Sequence, residues 1–180
     1  MKTITATLLI LFLFINFQLN AQDFKSFEKD GVSLEYPSDW EVVDVEKKKK
    51  ENPDNPMLQS ILFEIVADKE IKETKKVEAM RIDMSGRNTT LSGMEKYFEK
   101  LFNSTQGKVQ ILKKGAGEVN GYEYKSMTLK TKVDEAQLLG VQRVLLDGQY
   151  AYVISVSSPI ADFANFKTTA DQILDSFEVK

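Results

Sequence analysis

The sequence contains neither cysteine nor histidine. Without cysteine no disulfide staples the chain, so burial alone must hold its fold together. The same absence removes the thiol that a bacterial lipid anchor needs beside an export signal. Without histidine the chain lacks the commonest general base and the commonest metal ligand. Serine–histidine and cysteine–histidine catalysis are therefore excluded, and so are the usual zinc sites. Positive charge is not in excess either: 24 lysines and arginines face 27 aspartates and glutamates, for a net charge of −3. General nucleic-acid binding needs many cations on one face, and this balance argues against it.

Long apolar runs are scarce. One stands out, Leu8 to Phe17, broken only by Asn16 and preceded by Lys2. It is about half the roughly 20 residues that a membrane-crossing helix needs. Leu19-Asn20-Ala21 follows it, with a small residue where a signal peptidase cuts. Residues 1–21 thus read as a cleavable signal peptide, which places the mature chain outside the cytoplasm, periplasmic or secreted. Residues 22–180 have the length of a single domain, able to bury roughly two thirds of the surface of the unfolded chain.

Hairpin signals punctuate that domain. Asp30-Gly31 joins strands Phe24–Glu28 and Val32–Tyr36, Asn120-Gly121 opens Tyr122–Val133, and Asp147-Gly148 links Leu138–Leu146 to Gln149–Ser157. Trp40 opens a short strand, Glu41 to Val45, and residues 46–56 are expected to be loop. Leu58 to Ala67 is apolar on both alternating faces, as in a strand covered on both sides, and Ala79 to Ser85 alternates. Two helices are expected. Ser92 and Glu95 have the spacing of a capping box ahead of Met94, Phe98, Leu101 and Phe102. After Pro159 a stripe of Phe163, Phe166, Ala170, Ile173 and Leu174 has helical period. Gly115 and Gly117 are expected to mark a bulge or bend. The sum is α+β: one antiparallel sheet covered by helices.

No catalytic or metal-binding pattern emerges, and no cofactor is implied. Gly115-Ala116-Gly117 lacks the third glycine of a nucleotide fingerprint and leads into a strand, so no helix N-terminus waits for phosphate. The Asp-x-Asp-x-Asp-Gly pattern of a calcium loop is also missing.

The segment Gly31-Val32-Ser33-Leu34-Glu35-Tyr36-Pro37-Ser38-Asp39-Trp40 resembles the opening of the PsbP/Mog-like family, which includes DcrB-like bacterial envelope proteins. The far end is similar too: Tyr150 to Ser158, then Phe163 and Ile173-Leu174-Asp175-Ser176-Phe177, match that family's last long strand, final helix and closing Ser-Phe. The resemblance spans nearly all of residues 22–180. It implies an α/β/α sandwich in a single domain, and a non-enzymatic role in which an envelope protein binds a protein partner or assembly. The alternative is a small-molecule or lipid carrier with its ligand between sheet and helix, suggested by Phe98, Phe102, Phe163 and Phe166. The resemblance transfers no functional residue.

Three features are candidate contacts. Lys47, Lys48, Lys49 and Lys50 could hold an anionic partner such as phospholipid headgroups or an acidic protein face. The plainer reading, and the one preferred, is a solvated loop whose charge Glu46 and Glu51 partly offset. Tyr36 and Trp40, around Pro37, could line a pocket or plug the end of a sheet. Arg143 sits mid-strand among apolar neighbours, and either meets a carboxylate or lays its stem on apolar surface with its head in water.

Overall fold

The structure, a computed structural model, describes residues 22–180 apart from Lys72. The expected signal peptide lies outside the described residues. Strand β1 (Phe24–Lys29) turns through Asp30 and Gly31, at φ +52° and +81°, into β2 (Val32–Pro37). Short β3 (Glu41–Val42) leads to helices α1 (Val45–Glu51) and α2 (Pro56–Ser60), then to β4 (Ile61–Val66) and β5 (Lys76–Asp83). Helix α3 (Leu91–Asn103) precedes a four-strand meander: β6 (Val109–Val119), β7 (Tyr122–Val133), β8 (Ala136–Asp147) and β9 (Tyr150–Pro159). Helix α4 (Phe163–Asp175) and β10 (Glu178–Val179) complete it.

The strands form two sheets. One has seven strands in the order β3-β4-β5-β9-β8-β7-β6, antiparallel throughout, and the other has the order β1-β2-β10. The central strands of the large sheet carry apolar residues on both faces and are covered on both. On one face Ala79, Ile154 and Val156 pack under the five-residue stripe of α4 and under Val32, Leu34 and Tyr36 of the small sheet. On the other, Met80, Val144, Ala151 and Val153 pack under Met94 and Phe98 of α3 and under Val45 of α1. The result is the α+β sandwich that the sequence pattern and the family resemblance implied, with Phe177 tucked beneath the core at 1% exposure.

Four local expectations need correction. The segment carrying the lysines is not a loop: Asp44 accepts a hydrogen bond from the Lys47 N–H at 3.1 Å, caps α1, and lets a run of good helix formers wind with Val45 as its buried anchor. Asn55 and Pro56 likewise start α2, so Leu58 is helical and the buried strand begins at Ile61. Helix α3 starts earlier than the Ser92 capping box, because Thr90 accepts from the Gly93 N–H at 3.1 Å and takes the cap. Finally, β6 runs straight through Gly115 and Gly117, and its register shift lies between Ile111 and Lys113. The two glycines answer a different need: a Cβ at Gly117 would sit 2.5 Å from the Tyr124 hydroxyl, and one at Gly115 would sit 2.8 Å from Ser126 Oγ.

Candidate functional site

Tyr36 and Trp40 belong to the core, at 4% and 3% exposure. Trp40 stacks on Phe166 of α4 with ring centroids 5.7 Å apart, so the corner around Pro37 clamps the last helix to the first strands. Lys25 tightens it by donating to the carbonyls of Ser38 (2.7 Å) and Trp40 (3.2 Å). The four phenylalanines of the two long helices also pack inward. Phe98 stacks with Phe102 at 5.9 Å and Phe163 meets Phe166 edge-on at 6.5 Å.

The lysine run splits between two tasks. Lys48 reaches the carboxylate of Glu64 at 2.6 Å, and Lys49 that of Glu46 at 2.9 Å. Glu64 needs the charge, because it lies directly opposite Glu78 across β4 and β5. Lys76 partners Glu78 in turn, at 3.7 Å. Lys47 and Lys50 are left exposed on the outer side of α1.

Arg143 does not send its head to water. It is 8% exposed, pairs through Nη2 with Asp175 at 2.7 Å, and lies 4.5 Å over the Tyr124 ring. Its Nη1 is buried without a hydrogen-bond partner. Asp175 closes α4, where a carboxylate faces the negative end of the helix dipole and the last turn holds no basic residue. Arg143 supplies that missing cation from the neighbouring strand. Of the two readings open for Arg143, the carboxylate contact is the one the structure shows, and a head in water is not what it has.

An open apolar site lies elsewhere, at the N-terminal end of α3. The turn Ser85–Arg87 follows β5, with Gly86 at φ +74°. It sets Arg87 beside a cleft of about 240 Å³ floored by Ile82, Met84 and Met94. Tyr97 stands at its wall, 54% exposed and edge-on to Phe98 at 5.4 Å. A second cleft of about 320 Å³ shares Met84 and Arg87 and extends to Tyr150, whose ring lies under Arg81 at 5.1 Å. Ser85 donates to Asp83 from its hydroxyl (2.5 Å) and its backbone N–H (2.7 Å), and with Arg87 close by these bonds hold the Asp83 carboxyl below the usual range. Neither Arg87 nor Tyr97 stands out as a site residue in the sequence; nothing in the local pattern shows that β5, α3 and the β8–β9 turn converge.

Chemically the site offers apolar floor, aromatic wall and guanidinium. Among the described residues no group of three acidic side chains could hold a metal ion, and no helix is long and apolar enough to cross a membrane.

Comparison with known proteins agrees with this architecture. The structure of the cyanobacterial PsbP protein CyanoP from Synechocystis is similar over 91% of this chain and 96% of its own, with 15% identity and a TM-score of 0.64. LpqN of Mycobacterium tuberculosis, described as involved in cell envelope biogenesis, is similar over 90% of this chain and 94% of its own, at 10% identity and a TM-score of 0.59. At such identities the likeness shows the fold alone. No curated protein matches the chain. Residues 16–179 match the family described as PsbP-like protein, and the chain belongs to that family.

Proposed function

We propose that the protein is a non-enzymatic exported envelope protein, periplasmic or secreted, that binds a protein partner through the Tyr97–Arg87 end of its sandwich. The observation that carries this reading is the convergence of an exposed tyrosine, an arginine and a methionine floor on two joined open clefts. Tyrosine, methionine and arginine are enriched at protein interfaces, and tyrosine and arginine dominate binding hot spots. Methionine side chains adapt to irregular apolar partners. The matching partner surface presents an apolar side chain for the clefts and a carboxylate for Arg87. Family membership and the envelope role of LpqN support the reading, as does the lack of histidine and cysteine.

The test is site-specific photocrosslinking in the intact host cell, with a benzophenone amino acid in place of Tyr97 and, as control, of exposed Lys132 on β7. One discrete adduct from position 97 that is lost on Arg87→Glu is expected. Equal labelling from both positions, or no adduct from position 97, would refute this face as the interface.

A further inference from the structure

A further, chemically different cleft opens on the α3 face of the large sheet, where strands alone form its walls. Sheet register explains it. One row across the strands reads Glu64, Glu78, Ser155, Gln142 and Met127, and the next reads Val66, Lys76, Ser157, Gly140 and Leu129. Small residues on β8 and β9 therefore lie side by side, and no helix residue lines the depression above them. Its volume is about 210 Å³. At about 30 Å³ per water molecule, that is the room of roughly seven waters. Leu129, Val133 and Leu138 give it apolar walls.

Gln142 marks this depression as more than a small-residue stripe. It is 6% exposed, lines the cleft, and its side-chain nitrogen is buried without a hydrogen-bond partner. A buried amide donor left unpaired costs about 1–3 kcal/mol, so its presence asks for an acceptor. The polar lining can donate: the Ser155, Ser157 and Thr131 hydroxyls stand with the Gln142 amide, and Lys76, which can only donate, lies beside them. The Lys76 ammonium is held only loosely by Glu78, at 3.7 Å, and keeps 36% side-chain exposure.

We propose that this cleft binds a small aliphatic carboxylate. The carboxylate accepts from Gln142 and the serine hydroxyls and pairs with Lys76, while the chain lies on Leu129, Val133 and Leu138. An amine is disfavoured by Lys76, and an alcohol forfeits the charge. The volume suits a chain of about six carbons, well below the ~300–1,000 Å³ of a drug-sized pocket. The inference is independent of the protein-binding reading, since the two sites share no lining residue.

Hexanoate is the probe, titrated into the isotope-labelled protein and followed by amide NMR, with hexanol and hexylamine as matched controls. Saturable shifts at Gly140, Gln142, Ser155 and Ser157 are expected, with a dissociation constant at or below about 1 mM. Hexanol and hexylamine should bind at least about tenfold more weakly, and Lys76→Gln should weaken hexanoate by about tenfold. Ser157→Leu, which fills the cleft from a partly exposed position, should abolish the saturable shifts while leaving the spectrum folded. Shifts that do not saturate, that fall at Tyr97 and Met94 instead, or that hexanol reproduces with equal affinity would overturn the proposal.

Discussion

Removing Asp175 should cost more stability than removing Arg143, although the two form one ion pair. The asymmetry follows from their surroundings: the Arg143 side chain is 9% exposed and that of Asp175 is 65% exposed. In Asp175→Asn the guanidinium stays under α4 with only the Tyr124 ring for company. Breaking a buried pair from the side that leaves its charge uncompensated costs about 3–5 kcal/mol. Two terms reduce that here: Asp175 is solvated, and losing its charge from the helix C-terminus returns about 0.3–1 kcal/mol. A net loss of about 2 kcal/mol is expected. In Arg143→Met the carboxylate simply stays in water. The stack on Tyr124 is lost, at about 1–2 kcal/mol, but the unpaired Nη1 disappears with it, returning a similar amount. The net cost should be under about 1 kcal/mol. Urea denaturation at pH 7, with m-values unchanged across the set, measures both. The double variant should match Arg143→Met within about 0.5 kcal/mol. If Arg143→Met is the more destabilised single variant, the account of a buried cation serving an exposed helix end is wrong.

Other outcomes follow from features already described. Gly117→Ala should destabilise by about 1–2 kcal/mol because its Cβ displaces the Tyr124 ring, whereas Gly115→Ala meets only a rotatable serine hydroxyl and should be near neutral; combining Gly117→Ala with Tyr124→Ala should remove the difference in the same denaturation series. Asp44→Ala should cost about 1 kcal/mol and unwind α1, seen as lost amide protection from Lys47 to Glu51 in hydrogen exchange. The Asp83 carboxyl, held below its usual range by Ser85, stabilises the fold above the unfolded-chain value near 3.9, and that contribution is lost as pH falls through the lower folded value. Ser85→Ala should therefore lower the melting temperature at pH 7 and flatten its fall below about pH 4, the two proteins converging at the acid end.

The parts legible in the sequence were those set by local backbone chemistry or by period. Asp30-Gly31 and Asn120-Gly121 both turn with φ positive at each residue, a requirement that leaves few other residue pairs eligible. The stripe from Phe163 to Leu174 has helical spacing whatever covers it. The lysine run misled because four like charges suggest a solvated loop, while the capping aspartate and single anchoring valine that make it helical are weak signals. Gly117 was noticed for the wrong reason, since its partner Tyr124 is identified only by cross-strand register. Site geometry was least legible. Arg87, Tyr97 and Tyr150 meet because β5 lies beside β9, and Gln142 becomes a buried amide only once β7 and β9 flank β8. Arg87 and Tyr150 are far apart in sequence, and even within the meander only the paired register brings Gln142 between Met127 and Ser155.

The small sheet sets an order of events. Strand β10 pairs with β2, Glu178 opposite Ser33 and Val179 opposite Val32, and the Lys180 N–H donates to the Gly31 carbonyl at 2.8 Å. The hydroxyl of Ser176 receives the Glu35 N–H at 2.8 Å, and Asn120 donates to the Phe177 carbonyl at 2.8 Å. A chain that emerges N-terminus first therefore exposes β2 long before the residues that finish its sheet exist. Until Val179 is clear of the ribosome or a translocation channel, Val32, Leu34 and Tyr36 have no complete core to enter, and the first hairpin must be kept from other edges. The meander β6–β9 closes by neighbouring hairpins and can assemble in sequence as it appears. The joint between the two halves, β5 against β9, and the clasp of β10 on β2 come last.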